Sequence, residues 1–77
     1  MDKRLKKIGQ KIKQLRKAAG FTSYEKFALH HNMGRKQYWR IENGENITLQ
    51  TLFEVLDLLD VSVVDFFSSF DKLDMSD

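Results

Sequence analysis

The 77-residue chain contains no cysteine and no proline; 42% of its residues are hydrophobic, 31% are charged, and the formal net charge is +2. One small domain is all this length holds, with a thin stability margin and no thiols for a disulfide framework or a zinc-thiolate staple, so a secreted miniprotein is not expected. No apolar run approaches the ~18 residues of a membrane span, and the start Met-Asp-Lys-Arg-Leu-Lys-Lys predicts no signal peptide, which leads us to expect a cytoplasmic protein.

The near-neutral total conceals a split. Residues 1–40 carry twelve Lys or Arg against Asp2 and Glu25, a balance of +10, whereas residues 41–77 carry Lys72 against nine acids, a balance of −8. A basic face for a polyanion, with an acidic half held away from it, accounts for the asymmetry; a charged surface serving solubility alone is the alternative.

Leu5, Ile8, Ile12, Leu15 and Ala19 recur at spacings of three and four and predict a first helix over about residues 3–19. Lys6, Lys7, Lys11, Lys13 and Lys17 fall largely off that stripe and read mostly as a solvated face that attracts a polyanion at long range, with direct phosphate contact by Lys6, Lys7 and Lys11 as the alternative. Gly9 lies inside the helix at a cost of about 1 kcal/mol relative to Ala, and a close helix neighbour would explain it; Gly20 is the stop. Thr22 or Ser23 caps a second helix with Phe27 and Ala28 on its inner face, and His31-Asn32-Met33-Gly34 reads as a tight turn. A third helix turns Tyr38 and Ile41 inward and stops at Asn43-Gly44.

Thr48 caps a fourth helix, whose predicted inner stripe is Leu49, Leu52, Phe53, Leu56 and Leu59. Ser62-Val-Val-Asp65 has the form of a capping box opening a fifth helix with Val63, Phe66, Phe67 and Phe70. Val64 and Phe67 are the expected exposed pair, since helix five carries more apolar surface than one inward stripe uses; homodimerisation through this helix follows as an expectation. Residues 71–77 read as a polar, frayed tail.

Catalytic chemistry finds little support. The glycines, at 9, 20, 34 and 44, are never closer than ten residues, so no glycine-rich loop cradles a phosphate. His30 and His31 are adjacent, which splays them on a helix, and neither an HExxH pattern nor a cysteine supplies further metal ligands. No enzyme, metal or cofactor is expected.

The segment from Gly20 to Gly44 resembles the helix-turn-helix of the Cro and lambda-repressor-like family of bacterial and phage regulators, also known as the XRE type. Ile8-Gly9 through Leu15-Arg16-Lys17 is similar to the family's first helix, Phe27-Ala28 to its second-helix Leu-Ala, Arg40-Ile41-Glu42-Asn43-Gly44 to its Arg-Leu-Glu-x-Gly, and Val61-Ser62 through Phe66-Phe67 to its closing segment. The resemblance implies an all-α, compact five-helix domain over residues 1–70, with helices two and three forming the helix-turn-helix. It implies a non-enzymatic, sequence-specific regulator whose recognition helix, about residues 35–43, faces the DNA major groove through Arg35, Lys36, Gln37, Trp39, Arg40 and Asn43. Arg35 and Arg40 are the expected base readers. Lys36, Asn43, and Ser23 or Tyr24 at the start of helix two are the expected phosphate contacts. Arg16 and Glu42 match positions that pair in the family and are expected to form an interhelical salt bridge.

The sequence departs from the family pattern in four places. The connection Phe21-Thr22-Ser23-Tyr24 is one residue longer than usual, His31 replaces an apolar residue, Asn32 replaces the turn Gly, and Gly34 replaces the Ser or Thr cap of helix three. The expected partner is double-stranded DNA bearing a palindromic operator. No effector domain fits the length, so any sensing would require a partner protein. An antitoxin or other protein-interaction module is the alternative. A membrane-surface domain is a poorer one, because the apolar stripe of helix one is needed to close the core.

Overall fold

A computed structural model describes residues 2–72 and 74–76, and its secondary structure is entirely helical: α1 (Lys3–Ala18), α2 (Tyr24–His30), α3 (Arg35–Glu42), α4 (Leu49–Leu58) and α5 (Val63–Ser68). The caps explain where these helices begin. Asp2 accepts from the Arg4 N–H, Ser23 from Glu25 and Lys26, Thr48 from Thr51, and Ser62 from Asp65, so four of the five N-termini have a side-chain partner. Helix α3 starts at Gly34, which offers none.

Four helices end in the same way. After each C-cap comes a residue with positive φ, in order Gly20 (97°), Asn32 (55°), Gly44 (78°) and Asp60 (58°). The next N–H then reaches back to a carbonyl of the last turn: Phe21 to Arg16, Met33 to Ala28, Glu45 to Arg40, and Val61 to Leu56. This is the Schellman closure, and it fixes the direction in which each following segment leaves.

The core is Ile12 from α1, Phe27 and Ala28 from α2, Tyr38 and Ile41 from α3, Leu52, Val55 and Leu56 from α4, and Phe66 from α5. On α4 the expected stripe is corrected: Val55 is buried, while Leu49 and Phe53 are 67% and 39% exposed. With six apolar residues in ten, this helix carries two overlapping stripes, and packing beneath the other helices selects the one centred on Leu52, Val55 and Leu56. Ala19 is likewise an exposed cap residue, not part of the inner face of α1.

On α5, Val64 is 74% exposed, whereas Phe67 is half-buried against Phe66 and Phe70, with ring centroids at 5.1 and 6.2 Å. The described part of the tail folds into a turn in which Asp74 accepts from the Asp71 N–H (3.0 Å) and pairs with Lys7 (3.4 Å). Among the described residues, no helix is long and apolar enough to cross a membrane.

Candidate nucleic-acid interface

Helix α3 is held from two sides. Against α2, the Tyr38 ring packs on Phe27 with centroids 4.8 Å apart, and buried Ala28 gives the room for the crossing. Against α1, Gly9 lies under the last turn of α3 so closely that a Cβ there would stand 2.5 Å from the Glu42 carbonyl oxygen. The unfavourable glycine of the first helix is therefore required by the approach of the third.

A buried ion pair closes this arrangement. Arg16 donates to both Glu42 oxygens, from Nε at 2.7 Å and from Nη2 at 3.2 Å, and its Nη1 donates to the Phe21 carbonyl at 2.8 Å. The two side chains are 4% and 6% exposed. The bond to Glu42 outweighs burial and raises the Arg16 pKa further above its ordinary value. The Tyr38 hydroxyl is buried and makes no hydrogen bond of good geometry; burial first, and the neighbouring Glu42 carboxylate second, push its pKa up.

With Tyr38 and Ile41 inside, Lys36, Arg40 and Asn43, spaced four and three apart, form the outward stripe of α3, since residues advance by about 100° each. Trp39, 42% exposed, borders that stripe. Arg35 projects toward α2, where Glu25 pairs with it at 3.2 Å, both groups being well exposed. Gln37 lies on the opposite flank, in a cleft shared with Glu54 and Asp57 of α4. Arg40 comes within 3.9 Å of Glu45, and the Asn43 amide donates to the Trp39 carbonyl at 2.9 Å.

At the start of α2, Ser23 accepts two N–H bonds, from Glu25 at 3.1 Å and Lys26 at 3.3 Å. Both lone pairs are then occupied, and the hydroxyl proton remains available for an outside acceptor. Tyr24 is half-buried and packs against the core. The backbone at Gly34 (φ −58°, ψ 127°) suits any residue, and a Cβ there would meet only Gln37 at 3.7 Å, so neither strain nor crowding within the chain accounts for a glycine.

The sequence groups Lys6, Lys7 and Lys11 as the possible phosphate contacts of α1, and the structure divides them differently. Lys6 and Lys13 border a groove shared with Glu42 and Asn43 at the end of α3, whereas Lys7 and Lys11 face Ser69, Phe70 and Asp74. The signal was present in the spacing of Lys6 and Lys13, two turns apart on one helix, but which flank meets α3 is a matter of tertiary packing.

Residues 12–66 match the family model described as helix-turn-helix. The chain is also 34% identical over 67 residues to the control protein C.MunI of a Mycoplasma species, covering 86% of this chain and 90% of the relative. No solved structure matches it significantly. Five helices in this order, an α2–α3 pair locked around Ala28, and the family match across most of the chain establish that the protein belongs to the helix-turn-helix family of DNA-binding transcriptional regulators, of the Cro and lambda-repressor-like, XRE type.

Proposed function

We propose that the protein controls transcription by occupying a specific, palindromic operator as a homodimer, with α3 of each copy in the major groove. The observation that carries this reading is the outward face of α3: Lys36 and Arg40 stand in a row with the C-cap Asn43, on a short helix whose inner face is fixed by Tyr38, Ile41 and the Arg16–Glu42 pair. A rigid mount is what base readout requires, because a side chain must hold its geometry within fractions of an ångström.

Arg40 and Arg35 are the base readers in this reading, since a guanidinium pairs with both O6 and N7 of guanine. Glu25 at 3.2 Å from Arg35 and Glu45 at 3.9 Å from Arg40 make exposed contacts that DNA would displace. Lys36, Asn43 and the Ser23 hydroxyl serve the phosphates and set the register. Similarity to a control protein supports a regulatory role for the bound complex.

Selection of bound sequences from a random duplex pool tests the assignment. Wild-type protein should yield a palindromic motif. Arg40→Ala should lose roughly 1 to 3 kcal/mol on that motif and its preference at one base pair per half-site. An unchanged motif would reject Arg40 as a base reader and move the assignment to Gln37 and Trp39.

A further inference from the structure

We propose that Lys6 and Lys13 of α1 grip the DNA backbone beyond the C-terminal end of α3, and that Lys7 and Lys11 do not. The proposal rests on the helix-turn-helix interface and extends it onto a second element.

Three observations separate the two flanks of α1. The first is placement: Lys6 and Lys13, with Gln10 between them, line a polar groove whose other wall is Glu42 and Asn43. Asn43 is also the last residue of the outward row Lys36, Arg40 and Asn43, so the row runs into this groove. A strand that follows the row past the end of α3 meets Lys6 and Lys13 next.

The second is register. A Cβ on Gly44 would stand 2.8 Å from the Lys6 Cα, and one on Gly9 would stand 2.5 Å from the Glu42 carbonyl oxygen. Two glycine contacts, one helical turn apart along α1, fix its backbone against the end of α3. The lysine stems therefore start from defined points, and only their flexible ends need to find a phosphate.

The third is charge. Among the described residues, Lys6 and Lys13 enter no ion pair, and the carboxylate nearest them in the groove, Glu42, is committed to Arg16 by two hydrogen bonds. On the other flank Lys7 is already paired with Asp74 at 3.4 Å; Lys11 enters no ion pair either, but it borders the groove that Asp74 lines, away from the end of α3. A lysine ammonium is a point charge on a mobile stem, which suits a phosphate and carries no base preference.

The experiment compares two double variants of equal charge, Lys6→Gln with Lys13→Gln and Lys7→Gln with Lys11→Gln, in the full chain. Glutamine keeps the first two methylenes, so the packing of Lys6 on Gly44 is retained, and thermal melts check that both variants fold. Affinity for the selected operator duplex and for a random duplex is measured from about 50 to 200 mM salt. The Lys6/Lys13 variant should lose about two units from the slope of log K against log salt, roughly 0.9 per phosphate contact, equally on both duplexes. The Lys7/Lys11 variant should keep the wild-type slope within about half a unit, and each single Lys6→Gln or Lys13→Gln change should remove about one.

Equal slope losses in both double variants, or none in the first, would overturn the proposal while leaving α3 as the reader. Wild-type protein that bound no duplex would remove the interface itself, a distinguishable failure.

Discussion

Arg16 and Glu42 join the first helix to the third through two hydrogen bonds of 2.7 and 3.2 Å, and Arg16 uses its remaining nitrogen to hold the Phe21 carbonyl in the turn leading to α2. One buried side chain thus fixes both the entrance and the exit of the helix-turn-helix. Arg16→Ala should cost about 3 to 5 kcal/mol, because it strands a buried carboxylate. Replacing both residues together, Arg16→Met with Glu42→Leu, should recover most of that loss. Thermal melts of the two singles and the double check this; a shift under a degree for Arg16→Ala would contradict it.

Gly9→Ala gives the opposite of what helix propensity predicts. Alanine should stabilise α1 by about 1 kcal/mol, yet its methyl group would meet the Glu42 and Ile41 carbonyl oxygens at 2.5 and 2.8 Å. Those oxygens belong to backbone and cannot turn aside, so the helices must separate. We expect a net loss of about 1 to 3 kcal/mol in urea unfolding. A more stable variant would show that the helices are farther apart than described.

The five helices were legible because their caps are chemically explicit: Ser23, Thr48 and Ser62 at starts, Gly20 and Gly44 at stops, and Asn32 in the turn. Asp60 was not read as a stop, although it closes α4 with φ 58°, since aspartate favours many other roles. The choice between stripes on α4 was also closed to sequence reasoning, as both satisfy the same periodicity. On the interface, the outward order of α3 follows from Tyr38 and Ile41 alone. The pairing of Arg35 with Glu25 and of Lys7 with Asp74 needs the tertiary structure.

That missed stop makes its own prediction. An L-residue in the left-handed region carries a cost of about 1 kcal/mol that glycine avoids. The Asp60 side chain borders an open cleft with Asp57 and Asp65 and makes no hydrogen bond or ion pair among the described residues that its removal would cost. Asp60→Gly should therefore raise stability by up to about 1 kcal/mol, a melting increase of a few degrees for a domain of this size. A lower melting temperature would mean that the Asp60 side chain holds a contact beyond those described.

His31 should make the fold sensitive to acid. Its ring packs on Phe27 with centroids 4.5 Å apart and on His30 at 4.8 Å; burial first, and His30 second, lower its pKa below the ordinary value of 6.5. Glu54 and Asp57 border the same cleft but do not reverse that direction. A depressed folded pKa means that the unfolded chain binds the proton more readily, so this contribution is fully present above pH 6.5 and is lost as the pH falls through the folded value. His31→Leu, which restores an apolar side chain against Phe27, should flatten the stability profile between about pH 7 and 5. Urea melts across that range check it, and an unchanged slope would assign the sensitivity elsewhere.

The dimer proposed above needs a surface, and α5 offers one. Val64 is 74% exposed, Val63 beside it is also open, and Leu49 and Phe53 expose apolar surface one turn apart on α4. Because Val64 makes so little contact within the chain, Val64→Glu should change monomer stability by no more than about 0.5 kcal/mol. At a two-fold interface the same substitution places a charge in each copy's apolar patch, so dimerisation should fail. Sedimentation equilibrium should then show a concentration-dependent dimer for wild type and a monomer for the variant. On DNA, wild type should protect two half-sites about 34 Å apart, and the variant should bind each half-site weakly and independently. A wild-type protein that stayed monomeric at high concentration, with and without operator, would reject the dimer; a Val64→Glu protein that dimerised normally would move the interface away from α5.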